Sequence, residues 1–386
     1  MPELTINREF GEPEANELIL LRREIHQFPD LSGEEGPTAA RIQRFFEALA
    51  PDQTLTGLGG EGIAFVFEGA RKGPSTLIRC ELDGLPIVEQ NPVAYKSKIP
   101  GKSHTCGHDG HMAIICGLGK TLSAARPSRG KVVLLFQPAE ETGEGALKVL
   151  QSPSFSLIKP NFAFALHNLP GNARHEIILK KGTFTAASKG IEISLYGKTS
   201  HAAHPEDGNS PAEAMAQILV GLKDLPKSME EYGQVTVVNA VLGEETFGTS
   251  PGKAVLRATL RTLEDIALDR LGRLAESYVH HIAEEQGLSV SIKYREEFNA
   301  TQNHAEPWAI AEAAAKALGL KTRHIETPIL WSEDFGRFSK VSKTLMFGLG
   351  AGPDQPQLHE PGFDFPDEII ATGVKMFSRI VNLIHN

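Results

Sequence analysis

The chain has 386 residues, 41% of them hydrophobic and 23% charged, with a formal net charge of −9. That length predicts roughly two domains, and the composition excludes a disordered or membrane-embedded chain. The acidic balance, with no basic stripe to offset it, argues against a nucleic-acid partner.

The opening stretch MPELTINREFGEPE is charged throughout and has no apolar segment of a secretory signal. No apolar run approaches membrane-spanning length, KVVLLFQP and HMAIICGLG included. A cytoplasmic location is therefore expected. The three cysteines, Cys80, Cys106 and Cys116, are too few and odd in number for a disulfide framework, and they fit a reducing compartment. Cys80 and Cys116 lie in apolar runs and read as small core residues, whereas Cys106 keeps polar company.

In chain order, ANELILLRREIHQF has helical spacing and stops before Pro29. GEEGPTAARIQRFFEAL follows as a second helix. GIAFVFEG and STLIRCEL read as strands and HMAIICGLGKTLSAA as a buried helix. KVVLLFQP and FAFALHNL are short apolar runs bounded by turn residues, as in strands buried on both faces. Together these predict an α/β domain with a mostly parallel sheet. The middle changes style. GIEISLYG, SPAEAMAQILVGL, QVTVVNAVLG, KAVLRATLRT, LEDIALDRLGRLAESYVHHIAEEQG and LSVSIKYREEF spell βαββαβ, the ferredoxin-like order. PWAIAEAAAKALG, TLMFGLG and DEIIATGVKMFSRIVNLI then resume the first style. The expected organisation is one domain of residues 1–186 and 301–386, with a second, 187–300, inserted in it.

The chemistry gathers where the sheet strands end. Asp83 follows STLIRCEL, the pair Glu140-Glu141 follows KVVLLFQP, and His167 follows FAFAL. HTCGHDGH (104–111) precedes the buried helix, and LHEP adds His359. In open α/β sheets, function collects beyond the carboxyl ends of the strands. Taken singly, each feature has an ordinary explanation: a core histidine, a solvated glutamate pair, a buried thiol. Their joint placement points to a metal. A Cys106 nucleophile with His108 as its base leaves Glu140, Glu141, His167 and His359 without a role. A redox switch lacks a resolving cysteine.

HTCGHDGH, QPAEETGEGA, ALHNLPG, GKTSHAAHPEDG, WSEDFG and LHEPGFDFPDE stand in an order that resembles the aminoacylase–hippurate hydrolase family of dinuclear metallo-amidohydrolases. RREIHQFPDLSGEE and RCELDGLPIVE look like that family too, so the resemblance runs from about Leu21 to Asp367. It implies a zinc-peptidase-like α/β domain carrying an inserted ferredoxin-like lid that dimerises. It also implies a small-molecule substrate, an N-acyl amino acid, with a dipeptidase or exopeptidase on the same scaffold as the alternative, and behind it a binding protein whose catalysis has weakened. The cofactors implied are two divalent ions, whether zinc, manganese, cobalt or iron.

Carried over by motif, Cys106 resembles the bridging ligand, a place where many relatives have aspartate. His108 and His167 would complete one metal site; Glu141 and His359 would complete the other. Glu140 resembles the general base, and Asp83 the carboxylate that orients a ligand. Glu81 stands where more distant relatives carry a histidine ligand, and His108 fills that vacancy in the closer subgroup. His201, in GKTSHAAHP, resembles a donor to the scissile carbonyl, often acting across a dimer; His204 reads as structural or exposed. Gly248, in GTSP, departs from the family's Asn-Val-Ile-Pro run and removes an amide donor. Arg261 matches a recurring arginine that could hold a substrate carboxylate, with a structural role an equal alternative.

Overall fold

A computed structural model describes residues 11–386. Met1–Phe10, most of the charged opening stretch, lie outside the described residues. The chain divides into two units: a larger one comprising residues up to Phe184, Thr301–Pro328 and Asp334–Asn386, and a smaller one of Thr185–Ala300 with Ile329–Glu333.

The larger unit opens with two helices. α1 (Glu12–Gln27) has Pro13 and two glutamates in its first turn, a favourable start for the helix dipole, and buries Leu18, Arg22, Ile25 and His26. That stripe has helical spacing, yet half of it is polar. α2 (Gly36–Glu47) begins later than the motif GEEGPTAA suggests, because Gly33 takes φ 87° and the proline of the motif falls in the first turn.

The sheet has eight strands. β1 (Gln53–Leu58), absent from the sequence reading, pairs antiparallel with β2 (Gly62–Glu68). β2 in turn flanks β4 (Arg129–Gln137), also antiparallel. β4, β3 (Arg71–Glu81), β5 (Phe162–Pro170) and the strand Lys343–Gly352 run parallel, as continuous apolar strands with covered faces should. β6 (Ile177–Leu179) and Thr322–His324 finish the far edge. Between β3 and β4 runs α3 (His108–Ala124), buried nearly all round, and the C-terminal helix Ile370–His385 packs beside it. The fold class is thus mixed α/β around a large, mostly parallel sheet. α3 starts at His108, inside the HTCGHDGH motif and earlier than its apolar run indicates. Gly107, at φ 91°, reverses the chain just before it; a Cβ there would lie 2.5 Å from Asn168 Oδ1.

In the smaller unit, Ala187–Tyr196, Gly233–Leu242, Lys253–Thr262 and Ser289–Phe298 form an antiparallel sheet in the order second, third, first, fourth. With the helices Ala212–Leu222 and Asp265–Glu285, that is the βαββαβ ferredoxin-like arrangement. Its own core joins Ile191, Ile193 and Leu195 to Ile218, Leu256, Leu271 and Val279. Among the described residues, no helix is long and apolar enough to cross a membrane.

Candidate metal centre

The parallel strands deliver their polar residues to one end of the sheet. Cys106, His108 and His167 are all buried, and their ligand atoms lie within 4.8 Å of one another. Cys106, Glu141 and His359 form a second such group, and His108, Glu140 and Glu141 a third. Cys106 is common to the first two. The structure thus brings together all five residues that the sequence names as ligands, with Glu140 beside them.

Each imidazole is turned by its other nitrogen. His108 Nδ1 donates to the main-chain oxygen of Asp83 at 2.8 Å, which turns Nε2 towards the glutamate pair. That Nε2 is buried without a hydrogen-bond partner, 3.9 Å from Glu140 Oε2 and 3.8 Å from Glu141 Oε1. His167 Nδ1 donates to the oxygen of Asn168 at 2.9 Å, and its Nε2 lies 3.5 Å from Cys106 Sγ. Burial, then the neighbouring His111, hold His167 well below the usual histidine range, so it is neutral. His359 lies at the rim, its side chain half exposed and its Nε2 3.7 Å from Glu141 Oε2. Partial burial and the charge of His108 push it down to about 4. Burial and Glu141 push the Cys106 thiol well up, so a thiolate here needs a cation for company. Neutral imidazoles at His167 and His359, a buried sulfur and carboxylates around the unpartnered ring nitrogen of His108 fit a divalent transition metal.

Two loops hold these groups in place. The carboxylate of Asp83 is fully buried; its Oδ2 accepts from the Glu141 N–H at 3.0 Å and the Ser32 hydroxyl at 2.7 Å. Its Oδ1 is 3.6 Å from His108 Nδ1. The main chain of Asp83 therefore turns His108, and its side chain fixes the backbone of Glu141. Burial alone would raise its pKa, but His108 and these donors hold it below the usual carboxylate range. In the Glu140-Glu141 loop, Ala139 takes φ 51°, a left-handed conformation that costs a non-glycine residue about 1 kcal/mol or more. Glu35, buried at the end of RREIHQFPDLSGEE, accepts the Ala139 N–H at 2.7 Å and the Gly33 N–H at 2.8 Å. His359 also has positive φ, 67°, and its N–H donates to the oxygen of Thr105 at 2.9 Å. Strain at two points of one site is stored where geometry matters.

Glu81 lies beneath this centre. It pairs with Arg79 and accepts from His111 Nδ1 at 2.7 Å, while His111 Nε2 meets Asn168 Oδ1 at 2.6 Å. Arg79 is anchored further by Asp334 at 2.6 Å and Gln137 at 3.0 Å. Glu81, His108 and His111 also cluster, but the bonds just named already occupy Glu81 and His111.

The remaining sequence candidates lie in the smaller unit. His201 is exposed in a short two-stranded ribbon, where it pairs with Thr249, and its Nδ1 accepts the Ala203 N–H at 3.1 Å. Gly248 is its neighbour, accepting the Ala202 N–H at 3.0 Å. His204 is exposed, 3.5 Å from Glu206. Arg261 Nη1 donates to Ser332 Oγ at 2.8 Å and to the oxygen of Leu330.

Residues 77–383 match the family described as Peptidase family M20/M25/M40. The chain belongs to that family. A putative amidohydrolase, YhaA, of Bacillus subtilis (strain 168) is 30% identical over 377 residues, covering 96% of this chain and 95% of the relative. An N-acetylcysteine deacetylase of the same organism is 29% identical, covering 95% and 96%. The crystal structure of the Bacillus subtilis YXEP protein, described as a dinuclear metal binding peptidase from the M20 family, superposes with a TM-score of 0.82 at 27% identity. That match covers 97% of this chain and 99% of the other.

Sequence reasoning did not single out Ser32, Glu35, Arg22, His26, Asp109 or Asn168. A usable signal existed for two of them. Arg22 and His26 occupy the buried stripe of α1 at positions where helical spacing calls for apolar residues. Ser32 and Glu35 lie in a loop, where no periodicity marks a buried residue.

Proposed function

We propose that this M20-family chain is a metal-dependent hydrolase that cleaves the amide bond of N-acyl amino acids. The observation that carries the reading is the pair of ligand groups sharing Cys106: Cys106 with His108 and His167, and Cys106 with Glu141 and His359. Those residues would hold two divalent ions, with Cys106, as a thiolate, available to both groups. Such a pair, when bound, polarises the amide carbonyl and lowers the pKa of water from 15.7 towards 7. Glu140 is the base: it takes the proton from water and passes it to the leaving nitrogen, a role typically contributing 10²–10⁴-fold. Asp83 keeps His108 and Glu141 aimed through its carbonyl and carboxylate. The N-acetylcysteine deacetylase likeness supports an N-acyl amino acid as substrate.

The reading includes a homodimer, in which His201 supplies a hydrogen-bond donor to the developing oxyanion. Its support is the strand Gly233–Leu242, an edge of the smaller sheet whose Val238, Val241 and Leu242 are exposed. An apolar edge of this kind invites a second copy. The cytoplasm is the location that best fits a thiolate ligand.

The test is hydrolysis of a panel of N-acyl amino acids, varied in acyl group and side chain, after metal removal and again after adding back zinc, manganese, cobalt or iron(II). Turnover restored by a divalent ion, with loss when the substrate carries a free α-amino group, is the expected result. Preference for the free amino group would move the assignment to a dipeptidase. Full activity in chelator, with no bound metal by elemental analysis, would remove the metal reading altogether.

A further inference from the structure

The motif HTCGHDGH contains an aspartate that the metal site does not use. Asp109 is fully buried, one residue beyond His108 in the first turn of α3. Its Oδ2 is held by Arg22 Nη1 at 3.1 Å and His26 Nδ1 at 2.8 Å, both from α1. The other nitrogen of His26 meets Glu89 Oε1 at 3.1 Å, and Glu89 Oε2 accepts the Ser97 N–H at 2.7 Å. Arg22 reaches on to Asp364 at 2.7 Å and Asp367 at 2.8 Å, under the ring of Tyr95. Arg22, His26, Asp109 and Glu89 are each 3% exposed or less. Four distant stretches, RREIH, LPIVE, HDGH and FDFPDE, thus join in one buried network, in which Arg22 and His26 hold the Asp109 carboxylate directly.

A buried cluster of opposite charges contributes little net stability, since desolvation offsets most of the attraction. Position is what it does fix. Successive residues of a helix point about 100° apart, so two side chains held from different directions set the rotation of the turn. His108 is held by the carbonyl of Asp83 at the end of β3, and Asp109 by α1.

We propose that Arg22, His26 and Glu89 clamp Asp109 and are positioning residues for the metal centre, fixing the first turn of α3 so that His108 and Cys106 present their ligand atoms together. The inference rests on the metal reading above. It differs from a purely structural role in one respect. Loosening the clamp changes the coordination of the metal, beyond any change in melting temperature.

Cobalt(II) is the probe, titrated into the metal-free full-length chain. A thiolate ligand gives cobalt a near-ultraviolet charge-transfer band that Cys106→Ser must abolish. Three variants are compared: Asp109→Asn; the double variant His26→Gln/Glu89→Gln, which removes one cation and one anion together; and Arg22→Lys, which keeps the charge and loses the fork. Each variant that folds should bind cobalt about 10–100-fold more weakly, the usual effect of removing a partner behind a ligand, and should shift the band. Arg22→Lys should be the mildest. Should Asp109→Asn fail to fold, the double variant and Arg22→Lys decide. Wild-type affinity and an unchanged band in variants that merely melt lower would overturn the clamp. A wild-type chain that binds no cobalt would instead overturn the metal reading itself.

Discussion

The two units treat their polar chemistry in opposite ways. In the larger unit, Asp83, His108 and His167 are buried and held by main-chain carbonyls or by N–H and hydroxyl donors, with Glu140 buried beside them. In the smaller unit, His201 lies exposed on a short two-stranded ribbon with Gly248 exposed beside it, steadied by local hydrogen bonds. Burial is costly for carboxylates and imidazoles unless every turn of the chain around them is specified. The larger unit fixes its polar groups by burial, and the smaller leaves His201 open to solvent.

The sharpest way to break this contrast is at the buried glutamates. Glu140→Gln keeps the shape and most of the metal affinity but removes the proton acceptor, so turnover should fall by about 10²–10⁴-fold with metal content unchanged. Glu141→Gln should lose metal instead. Elemental analysis showing equal metal loss in the two variants would mean that the pair is assigned the wrong way round.

At the exposed end, His201→Ala should lower kcat by about 10²–10³, equivalent to 2.7–4 kcal/mol, with folding and metal content intact. Co-expression of this variant with Glu140→Gln asks whether the donor comes from the partner: a heterodimer then keeps one complete site. Recovery of activity in isolated heterodimers is the expected outcome; none would confine His201 to its own chain.

A third measurement tests the buried charge of the larger unit through pH. Burial lowers the pKa of His26, but Asp109 and hydrogen bonds to both carboxylates outweigh it and push the group up to about 9. The folded value lies above the ordinary 6.5, so the stabilisation is fully present below that pH and is lost as pH rises through about 9. Urea unfolding of the metal-free chain should show stability falling across this window, and His26→Gln should flatten the fall. Parallel curves for the two proteins would mean that His26 titrates alike folded and unfolded.

The smallest effect is expected at Gly248. Its backbone is ordinary and a Cβ there would meet nothing within 4 Å, so Gly248→Asn should fold normally. One added amide donor should raise kcat/KM on N-acyl amino acids by a few-fold, on the scale of about 1 kcal/mol for a hydrogen bond. An unchanged or lower kcat/KM would show that the amide is not what this ribbon lacks.

What the sequence determined by itself was local and periodic. The apolar runs KVVLLFQP and FAFALHNL could be placed as buried strands, and βαββαβ could be read from alternating patterns, because period and run length depend on neighbours in the chain. The candidate ligands were legible for a related reason: Cys106, His108, Glu140, Glu141, His167 and His359 each sit at or beyond the end of a strand or the start of a helix, where side chains must converge. The tertiary structure alone decided how they are aimed. That His108 is turned by the carbonyl of Asp83, that Glu35 secures Ala139, and that His26 reaches Asp109 across 83 positions of sequence all depend on contacts between segments remote in the chain. The onset of α3 at His108 belongs with them. Its apolar run begins later, and the left-handed turn at Gly107 against Asn168 sets where the helix starts. Hydrogen bonds between distant segments carry no period, so only the folded chain shows which polar residues are buried and what they hold.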